Sequence, residues 1–173
     1  MKRPIAPIIA ITLCFAWGVF LISPSGLGWA ENTVVADVPQ DLKITAVSGG
    51  IAPGSPHYKI EIDAKGNGSY WEIPEDSTAD SVFIEKGRFI VKGAALRFIY
   101  GVIKDTDFFS LKEEYIAEDV LDGSYAQLTI TADKKTKTVR TRNQAVKAFD
   151  RIMLAINVAT PPNNKVVYNE ILK

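Results

Sequence analysis

The run DAKGNGSYWE, residues 63–72, sets an acid, a Gly-Asn-Gly tip and a second acid within one short stretch. Such spacing suggests a calcium loop, which needs oxygen ligands at its first, third and fifth positions, glycine at the sixth and glutamate at the twelfth. Counted from Asp63, Asn67 and Gly68 are correctly placed, but Lys65 takes the third position and Pro74 the twelfth. That leaves too little negative charge, and both flanks alternate as strands. The sequence therefore predicts a hairpin turn and no metal site. A second acidic cluster, Glu113, Glu114, Glu118, Asp119 and Asp122, holds the carboxylates that general acid–base chemistry would require. It sits in a polar connector, where such a run reads as a solvated face. His57 is the single imidazole, at the start of a strand. Ser69 lies in the hairpin with no G-x-S-x-G context. These residues imply no catalytic group and no cofactor.

The hairpin's register decides which residues share a face, because a one-residue slip turns every side chain over. A turn at Asn67-Gly68 would set Asp63 against Glu72, and one at Gly66-Asn67 would set Glu61 against Glu72. A turn at Lys65-Gly66 pairs Lys59 with Glu72, Ile60 with Trp71 and Tyr58 with Ile73. Each such pair contributes about 0.2–1 kcal/mol, so the sequence favours Lys65-Gly66. Glu61 then faces Tyr70.

The elements around this hairpin follow from periodicity. Tyr58, Ile60 and Ile62 alternate with Lys59, Glu61 and Asp63, the pattern of a half-buried strand. An earlier strand is expected over 42–47, before the loop SGGIAPGSP. A further pair is expected at 81–85 and 88–92, joined at Lys86-Gly87. Leu96, Ile99, Tyr100 and Ile103 define one face of a helix, after which Phe108, Phe109 and Leu111 pin the chain to the core. In the next hairpin Ala126, Leu128 and Ile130 point one way and Tyr125, Gln127 and Thr129 the other. Asn143 is expected to cap a second helix with the face Val146, Phe149, Ile152, Met153 and Ile156, ended by Pro161 and Pro162. The predicted fold is α+β: an antiparallel sheet of hairpins with two helices on one face, in the order strands, helix, strands, helix.

The first thirty residues stand apart from this plan. Lys2 and Arg3 precede an apolar run over 5–22, and Gly28 and Ala30 supply the small residues of a signal-peptidase site. The division expected is a signal peptide over 1–30, a linker over 31–40, one domain over 41–160 and a tail over 161–173. An uncleaved membrane anchor is the alternative. Cys14, the one cysteine, falls inside the apolar run behind Leu13, unlike a lipidation site, so the exported domain would hold neither disulfide nor thiolate metal site. Residues 61–122 carry 14 acids against 7 bases, and 123–173 carry 3 against 9. Formal charge is balanced over the whole chain and no basic patch is interleaved with aromatics, which argues against nucleic acid.

Together GSPHYKIEIDAKGNGSY, ALRFIYGVIKDTDFFSLKEEY, the later Asp122-Gly123 and the threonine-rich hairpin carry a resemblance. The first stretch resembles the G-x-x-P-x-Y-x-ψ-x-ψ-x-x-D-G opening of a family of exported bacterial domains of unknown function. The likeness covers roughly residues 45–157. It implies export and this fold, and it carries no established activity. Where that family often has two cysteines, this chain reads SGGIAPGSP.

The function expected is that of an exported, non-catalytic module binding an envelope or secreted protein or polymer through the uncovered sheet face. Helices on one side would leave Lys59, Glu61, Tyr70, Glu72, Gln127, Thr129 and Arg140 on the other. The alternatives are a secreted hydrolase inhibitor presenting SGGIAPGSP and a hydrolase built on carboxylates.

Overall fold

In a computed structural model, residues 37–74, 82–117 and 123–161 are described. The signal segment, the cleavage position after Ala30, most of the linker, the tail from residue 162 and the acids Glu118, Asp119 and Asp122 lie outside them. Among the described residues no helix is long and apolar enough to cross a membrane.

Seven strands form one sheet: β1 Lys43–Gly50, β2 His57–Asp63, β3 Asn67–Ile73, β4 Ile84–Ile90, β5 Glu114–Ile116, β6 Ser124–Ala132 and β7 Lys135–Arg142. Their order across the sheet is β4-β3-β2-β1-β6-β7-β5. All neighbours are antiparallel except β5 and β7, which are parallel. Two helices, α1 Gly93–Asp105 and α2 Lys147–Ala159, complete the expected α+β order.

Strict alternation builds the core. Ile44 and Ala46 of β1, Ile60 and Ile62 of β2, Leu128 and Ile130 of β6 and Val139 of β7 are fully buried on one face or nearly so. Each large aliphatic side chain withdrawn from water contributes about 1.5–3 kcal/mol. The helix stripes cover that face: Leu96, Ile99, Tyr100 and Ile103 from α1, and Phe149, Ile152, Met153 and Ile156 from α2, belong to the same cluster. Phe108, in a 3-10 turn over Phe108–Ser110, is buried there as expected. On the opposite face Thr45, Val47, Lys59, Gln127, Thr129 and Thr138 remain partly exposed.

Local chemistry explains the joints. Asp133 and Lys134, at φ 51° and 62°, form a two-residue turn between β6 and β7. The Asp41 carboxylate accepts both of their N–H groups, at 3.0 and 2.6 Å. The Tyr100 hydroxyl donates to Asp133 at 3.0 Å and ties α1 to this turn.

Three expectations are corrected. Residues 84–90 are one strand, with no turn at Lys86-Gly87. Gly87 lies extended opposite Tyr70, while Trp71 pairs with Glu85, so Lys86 is a bulge. Asn143 does not cap α2, whose N-cap is Val146; it adopts φ 54° and its Oδ1 accepts the N–H of Ser124 at 3.0 Å. Finally, Glu114 to Ile116, expected to be connector, pair with Arg140 to Arg142 at the sheet edge.

Candidate functional site

The turn after β2 sets the composition of the sheet face that neither α1 nor α2 covers, the uncovered face among the described residues. Asp63 Oδ1 accepts the N–H groups of Lys65 and Asn67 at 2.9 and 2.8 Å, and Oδ2 accepts the Asn67 amide at 2.8 Å. Gly66 stands at φ +81°, and its N–H donates to the Asp63 carbonyl at 2.9 Å. These bonds define a three-residue loop, Ala64-Lys65-Gly66, closed by a left-handed glycine. The carboxylate that suggested a calcium ligand is occupied in holding the turn.

That loop is one residue longer than the two-residue turn expected from cross-strand pairing. The register becomes Ile60 to Tyr70, Lys59 to Trp71, Glu61 to Ser69 and Tyr58 to Glu72. Every β3 side chain is therefore turned over relative to expectation. Tyr70 and Glu72 leave the proposed surface for the helix-bearing face, and Trp71 and Ser69 take their place. The other five predicted residues, Lys59, Glu61, Gln127, Thr129 and Arg140, are brought together on the uncovered face.

Register aligns that face in rows. One row runs Glu85, Trp71, Lys59, Val47, Gln127, Arg140 and Glu114 across all seven strands. The Lys59 ammonium lies 4.0 Å from the Trp71 ring centre and 5.3 Å from that of Phe83. It also lies 3.5 Å from Glu61, which Lys43 approaches at 4.0 Å. Arg140 donates to Gln127 at 3.0 Å and to Glu114 at 3.2 Å. A second row runs Arg88, Ser69, Glu61, Thr45, Thr129 and Thr138. The Thr129 and Thr138 hydroxyls meet at 2.9 Å, as do Thr131 and Thr136 one row further.

At the far end of the face the Tyr125 hydroxyl and His57 Nδ1 meet at 2.9 Å across Gly49, which pairs with both residues. A Cβ on Gly49 would come within 3.0 Å of the His57 ring, so the missing side chain makes room for the imidazole. Burial pushes the Tyr125 hydroxyl above the usual tyrosine range.

Beneath the sheet Tyr70 stacks on Tyr58, with centroids 6.4 Å apart and planes 12° from parallel. Burial first, then Glu72 and Tyr58, pushes the Tyr70 hydroxyl up to about 12. Of the acidic connector, Glu113 pairs with Lys137 at 3.6 Å and Glu114 with Arg140 at 3.2 Å. Among the described residues no group of three or more His, Cys, Asp or Glu is placed to hold a metal ion. A hollow of ≈ 300 Å³ beside α1 is lined in part by Tyr100, Lys104, Phe108 and Asp133. Its main polar contact, Tyr100 to Asp133, is the structural tie already described.

Trp71 is the functional candidate that sequence reasoning missed. The signal was present: an aspartate three residues before a glycine that can adopt the left-handed conformation marks a three-residue loop. No protein-family model matches this chain, and no curated protein matches it.

Proposed function

We propose that this protein is an exported, non-catalytic binding module whose uncovered sheet face is its working surface, directed at an envelope or secreted protein or polymer. The observation that carries the reading is the row from Trp71 through Lys59 and Gln127 to Arg140. Register aligns an indole, an ammonium, the Val47 side chain, an amide and a guanidinium in one row across five strands. Export is supported by Lys2-Arg3, the apolar run and the small residues Gly28 and Ala30. Of the acidic connector, Glu113 and Glu114 are engaged by Lys137 and Arg140, which supports reading those two carboxylates as surface ion pairs and not as an acid–base pair.

Retention of the protein on sedimented native envelope tests the reading. Trp71→Ala and Arg140→Ala should each weaken retention while the circular dichroism spectrum stays unchanged. Variants on the helix side, such as Phe98→Ala at an exposed α1 position, should bind normally. Equal retention by all variants would refute the proposal.

A further inference from the structure

The charges of the uncovered face largely satisfy one another. Lys43 and Lys59 flank Glu61, Arg88 holds Glu85 at 2.7 Å, Arg140 holds Glu114 at 3.2 Å, and the Asp63 oxygens are taken by the turn. Among the described residues Arg142, exposed at the margin opposite Tyr125, adds one further cation. A polyanion would be met by surplus positive charge, and a protein partner by an aromatic core depleted of charged residues. A lipid surface would be met by a basic face bearing apolar side chains. The centre of this face matches none of the three. It offers hydroxyls and an amide in adjacent rows, Thr45, Thr129 and Thr138 in one and Gln127 in the next. Beyond the bond between Thr129 and Thr138 and the one that Gln127 Oε1 accepts from Arg140, these groups keep lone pairs, a hydroxyl hydrogen and the Gln127 NH2 for a ligand. In the Gln127 row, three strands away on β3, Trp71 supplies an apolar plate with a polar edge, in contact with the Lys59 ammonium.

We infer that the ligand of this face is an uncharged, polyhydroxylated chain, a neutral polysaccharide. The inference rests on the reading that this face is the binding surface. Sugar hydroxyls would exchange hydrogen bonds with the threonine and glutamine groups, and the C–H face of one ring would pack on the indole. No change in ionisation is required on either side.

The test is retention of the protein on insoluble cellulose and chitin, and on anionic polygalacturonate gel, at low and high salt. The expected result is retention on a neutral polymer that salt leaves unchanged. The double substitution Trp71→Ala with Gln127→Ala should lower the affinity at least about tenfold, equivalent to about 1.4 kcal/mol, with the circular dichroism spectrum and a cooperative urea transition retained. Retention on polygalacturonate alone, lost in high salt, would overturn the inference. So would failure to bind either neutral polymer. If the face substitutions still abolished envelope retention in that case, the binding-face reading would survive. Neutral-polymer retention unaffected by the double substitution would overturn both.

Discussion

Replacing Gly66 by alanine separates the turn's geometry from its composition. Gly66 holds φ +81°, which costs a residue with a Cβ about 1–2 kcal/mol. That Cβ would also lie 2.2 Å from the Val91 carbonyl oxygen, a backbone atom that cannot swing aside. Relief requires β2–β3 and the chain after β4 to separate, which strains the bond from Val91 N–H to the Gly66 carbonyl at 2.8 Å. Losing that bond adds about 0.5–1.5 kcal/mol. The expected destabilisation is about 1.5–3.5 kcal/mol. With a urea slope of about 1–3 kcal/mol per molar for a domain of this size, the midpoint should fall by about 0.5 M or more. Gly101→Ala is the matched control. Its Cβ meets nothing within 4 Å in the middle of α1, so it should stabilise by up to about 1 kcal/mol. A Gly66→Ala midpoint within about 0.2 M of wild type would refute the three-residue turn and the β3 register that depends on it.

Other consequences are equally direct. Ser48 Oγ is buried without a hydrogen-bond partner among the described residues, so Ser48→Ala should leave stability unchanged or raise it by about 1 kcal/mol in urea unfolding. Asp63 is engaged by three donors of the turn; added calcium should therefore leave the melting temperature unchanged, and a calcium-dependent rise would restore the ion-site reading. Tyr70 is held at about 12 against an ordinary value of 10.0. The folded state thus keeps this proton where the unfolded chain releases it, so the contribution is complete below pH 10 and is lost as pH rises towards 12. Tyr70→Phe should flatten the fall in stability across that window, as followed by urea midpoints at several alkaline pH values.

Much of this fold is legible because its periods are clean. Ile60 and Ile62, and Leu128 and Ile130, alternate without interruption, and the two helices carry stripes at spacings of three and four. What escaped depended on backbone geometry that residue types constrain weakly. Three overlapping turns were open around Gly66 and Gly68, and pairing energies of a fraction of a kcal/mol favoured the wrong parity. The Asp63 side chain decided the matter by accepting three hydrogen bonds. Gly87 looked like a turn because glycine marks both turns and bulged strands. β5 has three residues and a parallel partner, too short for any period to show. The candidate surface inherits these limits: its β1, β2, β6 and β7 residues were readable, whereas Tyr70 and Glu72 were assigned in place of Trp71 and Ser69.

Oxidative footprinting of the protein, free and bound to native envelope, tests the binding face most directly. Trp71, partly exposed on that face, should be labelled in the free protein and protected on binding, with Tyr58 and Tyr70 labelled equally in both. Unchanged labelling of Trp71, with protection appearing instead at Phe98 and Leu154 on the helices, would place the interaction on the opposite side and contradict the account.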